Sequence, residues 1–292
     1  MAMMPIGELL RNAKSGDRRS LARLLTKVEQ GEPFETETKQ SPWILGVTGA
    51  PGVGKSTMID RLASKWSQHG WKVAILAVDP SSPISGGALL GDRARMAYTN
   101  SEDVYFRSIS SKGHQGGIST GLGHMAALLT ECGWDRIIIE TVGVGQGEYA
   151  VISVADRILL VDGPDRGDTL QAEKAGILEL ADVVACNKSD LPGSAQAVQS
   201  LEEGLSLSSD PPDVVSVSSL TGDGIEALIE VIEALKPNNK KNKLKSRIIL
   251  DSIIMSRIRS LPVYWNVVED ITSKKIAPME GAKIVEGEYG RF

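Results

Sequence analysis

Gly49-Ala50-Pro51-Gly52-Val53-Gly54-Lys55-Ser56-Thr57 decides how the 292-residue chain is to be read. The stretch fits the pattern G-x-x-x-x-G-K-[ST], follows the apolar run Trp43-Ile44-Leu45-Gly46-Val47 and precedes a helix-like segment, Met58 to Trp66. Strand, glycine loop and helix in that order are the setting in which the pattern binds phosphate. Gly49, Gly52 and Gly54 let the backbone bend, so that N–H groups along the loop, Val53 included, face phosphate oxygens. The helix N-terminus adds partial positive charge at the same place. Lys55 is expected to reach the β and γ phosphates and the Ser56 hydroxyl to ligate Mg²⁺. Thr57 closes the binding segment in the first helical turn. A glycine turn before an ordinary helix would account for far less of the pattern.

Asn187-Lys188-Ser189-Asp190 supplies the base. It follows the apolar run from Ala181 to Cys186, read as a buried strand ending at the motif. A carboxylate accepts from both the N1–H and the exocyclic amine of guanine, a donor pair that adenine lacks, so Asp190 is the specificity residue. Asn187 can bridge the base edge and the phosphate-loop backbone, and the Lys188 stem can cover one face of the base. The tetrapeptide alone is weak. With a phosphate loop upstream it points to GTP or GDP, and a wrong base would leave buried polar groups unpaired.

Composition narrows the classes. A hydrophobic content of 41% supports a sizeable core, and an aromatic content of 4% makes it aliphatic. The net charge of −5 gives no reason to expect nucleic acid as a partner. Cys132 and Cys186 are isolated, which suits reduced thiols rather than a disulfide framework or a zinc site. No apolar run approaches the ~18 residues of a membrane helix, and charges near the start interrupt any signal-peptide pattern. The expectation is a cytoplasmic protein with no membrane association.

Working outward, residues 17–30 read as a helix with Leu21, Leu24, Leu25 and Val28 on one face and Asp17 as N-cap. It should pack on the main domain or on a partner. Residues 32–42 read as a polar connector. From residue 43, β-like runs at 43–48, 72–79, 104–109, 136–142, 156–162, 182–187 and 213–217 alternate with helical ones. That alternation implies a mostly parallel sheet with helices on both faces. The basic stretch Lys236 to Lys243 reads as a solvated linker. Ile248, Ile249, Ser252, Ile253 and Arg257 suggest a further helix, and 262–292 reads as irregular. The organisation expected is a helical extension at 1–42, a GTPase domain at 43–236 and a C-terminal extension at 237–292.

Between the two anchors, Pro80 stops the strand Val73–Val78 so that Asp79 sits at its end beside the phosphate loop. Asp79 either binds Mg²⁺ through water, orients the attacking water, or merely caps the strand. In Ser85 to Met96, glycines suit a mobile loop and Asp92, Arg93 and Arg95 suit phosphate chemistry; a capped surface loop is the bland alternative. Glu140-Thr141-Val142-Gly143 occupies the position where many GTPases carry D-x-x-G. Glu140 would hold the Mg²⁺ shell and the Gly143 N–H would sense the γ-phosphate, which makes 141–148 a natural switch. Gln146 has no firm role. Ser218, Ser219 and Leu220 follow the last strand, where backbone N–H groups complete a guanine site. His114 and His124 read as ordinary surface or core residues rather than metal ligands.

Ala77-Val78-Asp79-Pro80-Ser81-Ser82, Gly86-Gly87 and Leu90-Gly91-Asp92-Arg93-Ala94-Arg95-Met96 together resemble the MeaB/ArgK-like GTPases. So do Glu140 to Gln146 and Gly167-Asp168-Thr169-Leu170-Gln171-Ala172-Glu173-Lys174-Ala175-Gly176-Ile177, and the likeness runs from about residue 17 to 235. The resemblance implies a SIMIBI-type P-loop fold, a homodimer, and a GTPase that gates adenosylcobalamin loading and protection of methylmalonyl-CoA mutase or a related acyl-CoA mutase. It implies catalytic roles for Lys55, Asp79, Asp92 and Glu140, with Ser56, Asp79 and Glu140 around Mg²⁺, and a further switch from Gly163 to Lys174. The sequence departs from the family pattern with Gly at 147, at Gly163-Pro164-Asp165-Arg166, and in a shorter C-terminal region whose one tryptophan is Trp265.

Three other readings compete. A nickel-insertion GTPase of the same fold would carry His-rich tracts or paired cysteines. An ATP-dependent kinase linked to amino-acid transport would not need Asp190. A binding module with a dead site is at odds with Lys55, Ser56, Asp79 and Glu140 all being present. No arginine finger is identifiable, so intrinsic turnover should be slow.

Overall fold

The computed structural model describes residues 5–32, 36–79, 101–110, 118–141, 151–164, 178, 180–206, 210–236, 243, 246, 247, 250, 251, 254, 255, 257–259 and 261–289. Seven strands form one parallel sheet: β1 (Ile44–Gly49), β2 (Val73–Asp79), β3 (Val104–Ser110), β4 (Arg136–Thr141), β5 (Arg157–Asp162), β6 (Val183–Cys186) and β7 (Asp213–Ser216). Each coincides with one of the apolar runs, within a residue or two. Their order is β3-β2-β4-β1-β5-β6-β7. β1 is central, with β4 on one side and β5 on the other, so the chain reverses its direction of winding there. Open α/β sheets bind ligands beyond the carboxyl ends of the strands at such a switch point.

Alternation along the strands divides the core. Leu45, Val47, Ile75, Ile138, Leu159 and Val183 face α3 (Lys55–Gln68). Ile44, Ala74, Leu76, Ile137, Ile139 and Ile158 face the opposite way, towards α1 (Ile6–Lys14), α2 (Arg18–Glu29) and α4 (Ile118–Glu131). On that second face, Leu160, Val184 and Cys186 pack against Leu201 and Leu205 of α5 (Ser194–Leu205). The α3 face is completed by Leu228 and Ile232 of α6 (Ile225–Ala234). Because both faces are covered, the strands read as nearly continuous apolar runs.

Three aspartates fix how the strands start. Asp156 donates its N–H to the Ile44 carbonyl at 3.0 Å, and its Oδ2 accepts from the Ile44 N–H at 3.1 Å. Asp182 brackets Ile158 in the same manner, at 2.8 Å and 2.8 Å, and Asp135 brackets Lys72 at 2.9 Å and 2.9 Å. Each bracket satisfies donors and acceptors at the amino end of the sheet and holds adjacent strands in register.

The N-terminal helices belong to this core. Leu9, Ala13, Leu21, Leu24, Leu25 and Val28 are buried in the cluster that includes Leu76 and Leu122. Asp17 caps α2 as expected, accepting from the N–H groups of Arg19 and Ser20. Arg18 Nη2 reaches the Glu102 carbonyl at 2.6 Å and that of Val104 at 2.9 Å, and Arg107 pairs with Glu29. The expectation left open whether this helix meets the domain or a partner; it meets the domain. α1 was not anticipated.

One expectation is corrected. Within 262–292, read as irregular, the described residues 262–289 form a helical pair, α7 (Pro262–Thr272) and α8 (Pro278–Tyr289). Gly281 lets them close, since a Cβ there would lie 2.8 Å from Val267 Cγ1 and from Ile271 Cδ1. Residues 243, 246, 247, 250, 251, 254, 255 and 257–259 are helical as well, which includes Arg257, while Ile248, Ile249, Ser252 and Ile253 lie outside the described residues. Among the described residues no helix is long and apolar enough to cross a membrane.

Candidate functional site

β1 ends at Gly49, and the loop to α3 is built around two backbone demands. Gly49 has φ 143°, and a Cβ there would sit 2.2 Å from the Val161 carbonyl oxygen of β5. Gly54, the N-cap of α3, has φ 95°, and a Cβ there would lie 2.4 Å from Asn187 Nδ2. No other residue fits at either position without moving backbone or a buried amide. Lys55 is buried at 7% exposure, and its Nζ donates to the carbonyls of Gly49 at 2.8 Å and Ala50 at 3.0 Å. The ammonium is thus held inside the loop curve. Thr57 faces solvent in the first turn.

Strand alternation places Glu140, like Ile138, on the α3 face. Ser56 at the start of α3 donates its hydroxyl to Glu140 Oε1 at 2.8 Å, and Glu140 is only 6% exposed. Thr141 on the opposite face meets Thr48 of β1, Oγ1 to Oγ1 at 3.3 Å. A hydroxyl and a carboxylate side by side at the mouth of a phosphate loop are the hard oxygen donors that Mg²⁺ takes alongside substrate phosphates. They fit the ion. Asp79 ends β2, its backbone in register with Ser110, but its side chain lies outside the described residues. Asp92, Gly143, Gln146 and His114 also lie outside them. His124 is exposed on α4, and among the described residues no group of three or more His, Cys, Asp or Glu is placed to hold a metal ion.

The base-side motif follows β6. Asn187 is 1% exposed and its amide spans the site: Nδ2 donates to the Val53 carbonyl at 2.8 Å and to Ser219 Oγ at 3.0 Å, while Oδ1 accepts from the Ser219 N–H at 2.9 Å. Lys188 adopts φ 64°, a left-handed turn for a side-chain-bearing residue. Asp190 Oδ1 accepts from the Ser218 hydroxyl at 2.5 Å. This pairing aligns one carboxylate oxygen, and Asp190 stays on the solvent side. The structure therefore brings Gly49, Gly52, Val53, Gly54, Lys55, Ser56, Glu140, Asn187, Lys188, Asp190, Ser218, Ser219 and Leu220 to the carboxyl end of the sheet.

Sequence reasoning missed Arg61. Its Nε donates to the Ser219 carbonyl at 2.9 Å and its Nη2 to the Leu220 carbonyl at 2.6 Å. The one available signal was Arg61 and Lys65, two cations a turn apart on α3.

The sequence model of the family described as "Methylmalonyl Co-A mutase-associated GTPase MeaB" matches residues 21–259. A putative GTPase of Pyrococcus horikoshii is 33% identical over 310 residues, covering 97% of this chain and 98% of that one. The methylmalonic aciduria type A homolog, mitochondrial, of Caenorhabditis briggsae is 35% identical over 227 residues, 69% of this chain and 54% of that protein. Among solved structures, a protein described as LAO/AO transport system kinase superposes with a TM-score of 0.66 at 23% identity, each chain fully covered. That likeness speaks to the fold alone.

Proposed function

The chain belongs to the MeaB family of methylmalonyl-CoA mutase-associated GTPases, and on that premise we propose that it is a GTP-driven chaperone gating adenosylcobalamin loading and protection of that mutase or a related acyl-CoA mutase. The fold is the SIMIBI type of P-loop GTPase, and the chain is a GTPase. The observation that carries the finer reading is the match to the mutase-associated family over residues 21–259.

In this reading Lys55, held between the Gly49 and Ala50 carbonyls, lies where β and γ phosphate oxygens enter the loop. Ser56 and Glu140 would hold Mg²⁺, and the ion, when bound, would neutralise charge that develops on the phosphates. Asp79 would join them around the ion, Asp92 would serve hydrolysis, and the Gly143 N–H would sense the γ-phosphate. Asp190 accepts from the base edge and Asn187 keeps the base loop and phosphate loop together. Slow basal turnover suits gatekeeping, with the partner accelerating it.

We assign homodimerisation to the C-terminal helices. The support is their apolar exposure: Trp265 is 59% exposed and Met279 74%. Light scattering of wild type and Trp265→Glu should show a dimer weakened by the substitution, and a wild-type monomer would refute the assignment.

The deciding experiment is steady-state hydrolysis of GTP and ATP by the purified protein, with and without the mutase. GTP-selective turnover that rises with the mutase supports the proposal. Turnover indifferent to the mutase refutes the partner, and ATP preference revives the kinase reading.

A further inference from the structure

Arg61 belongs to neither nucleotide motif, yet it ties the phosphate-loop helix to the base loop. Besides its bonds to the Ser219 and Leu220 carbonyls, the next turn of α3 repeats the tie, with Lys65 Nζ 2.6 Å from Glu226 Oε1 in α6. The connections close a ring. α3 leads back through Gly54 to Val53, Val53 holds Asn187, Asn187 holds Ser219, and Ser219 is held by Arg61.

Peptide geometry gives the Arg61 contact its consequence. The Ser219 carbonyl and the Leu220 N–H share one planar unit and point in opposite directions, since no described peptide bond is cis. Fixing that carbonyl therefore aims that N–H. The neighbouring donors are already engaged. The Ser218 N–H meets the Asp223 carbonyl at 2.9 Å, the Ser219 N–H meets Asn187 Oδ1 at 2.9 Å, the Thr221 N–H meets Ser218 Oγ at 3.1 Å and the Gly222 N–H meets the Ser218 carbonyl at 2.8 Å. The Leu220 N–H has no partner among the described residues, and Leu220 is 71% exposed.

We infer that Arg61 is a positioning residue for base recognition, aiming the Leu220 N–H at the 6-oxo oxygen of the purine, next to the N1–H that Asp190 takes. The inference rests on the guanine reading of residues 187–190 and 218–220. Arg61 is suited to it because a guanidinium presents several donors in a rigid fork, so both carbonyls are held in one orientation. The loop is then set before the nucleotide arrives, and binding does not have to order it.

Two GDP analogues each alter one group on the base. 6-Thioguanosine diphosphate replaces the oxo acceptor with a weakly accepting sulfur, and inosine diphosphate lacks only the exocyclic amine. Calorimetry should measure all three nucleotides on wild type, Arg61→Met, Arg61→Lys and Lys65→Met. Wild type should prefer GDP over both analogues. Arg61→Met should lose about tenfold of its preference over the thio analogue, the scale of one or two lost hydrogen bonds, with its preference over inosine diphosphate unchanged. Arg61→Lys, which keeps the charge but not the fork, should be impaired in the same direction, and Lys65→Met should keep both preferences. Full retention of the thio discrimination in Arg61→Met overturns the inference. So does an equal fall in affinity for all three nucleotides, the mark of a residue that only braces the fold. A wild type that cannot separate GDP from the thio analogue overturns the base-loop reading itself and the inference with it. Thermal unfolding establishes that each variant is folded, and if Arg61→Met is not, Arg61→Lys carries the same comparison.

Discussion

Asn187 grips Ser219 at two points: its Nδ2 lies 3.0 Å from Ser219 Oγ and its Oδ1 2.9 Å from the Ser219 N–H. The same amide nitrogen reaches the Val53 carbonyl of the phosphate loop at 2.8 Å. One buried side chain therefore couples the loop that meets phosphate to the loop that meets the base.

Asn187→Ala leaves the Val53 carbonyl and the Ser219 N–H without this partner, in a site of 1% exposure. Stranded buried polar groups cost about 1–3 kcal/mol each, so a loss of about 3 kcal/mol is expected in urea unfolding of the nucleotide-free protein. GDP affinity should fall in parallel. Ser219→Ala removes one hydroxyl only, and its effect should be about 1 kcal/mol. Equal stability of Asn187→Ala and wild type would show that the bridge contributes nothing.

Lys55→Ala removes the ammonium that lies between the Gly49 and Ala50 carbonyls. GTP turnover should drop at least about a hundredfold, as for loss of one preorganised charge donor, and GTP binding should weaken. Retained turnover in a single-turnover phosphate-release assay would remove Lys55 from the phosphate site.

The sheet was legible because its strands are covered on both faces and so read as apolar runs between polar loops. The pairing of Ser56 with Glu140 was legible in outline, since alternation puts Glu140 on the face where α3 begins. Arg61 was not, because its role depends on where Ser219 comes to lie, and that is set by the fold rather than by local pattern. α1 carries Ile6, Leu9, Leu10 and Ala13 at helical spacing, but it is short and interrupted by charge, and its helicity comes from docking on the core. α7 and α8 bury little beyond Val267 and Gly281, so their sequences carry no wide apolar stripe. Their prolines, Pro262 and Pro278, were the available helix-start signals.

Glu140→Gln keeps an oxygen that can accept from Ser56, so the fold should persist while a negative charge leaves the ion's surroundings. The Mg²⁺ concentration for half-maximal GTP hydrolysis should rise about tenfold or more. GDP binding measured without Mg²⁺ should change little. An unaltered Mg²⁺ titration would place the ion away from Glu140.

Glu131 ends α4 and receives the end of α1 and the connector. Lys14 Nζ is 2.7 Å from its Oε1, and the Glu37 N–H donates to its Oε2 at 3.1 Å. Burial works to raise this carboxyl, but the hydrogen bonds from Lys14, Thr36 and the Glu37 N–H outweigh it and hold it below the ordinary carboxylate value. The same pairing, through the Glu131 hydrogen bond first, raises Lys14 above the ordinary lysine value. A depressed native carboxyl binds protons less readily than the unfolded chain does. Its stabilisation is therefore fully present above the unfolded value, about 4.3, and is lost as pH falls through the lower native value. The raised lysine acts at the other end: its contribution holds below about 10.4 and fades as pH rises through the native value. Urea midpoints of wild type and Glu131→Gln should differ by a constant amount through neutral pH. The gap should close in acid as pH falls through the lowered native value, beneath which both proteins carry a neutral side chain at position 131. A gap that persists unchanged in acid would mean that the charge on Glu131 does not hold α1 and α4 together.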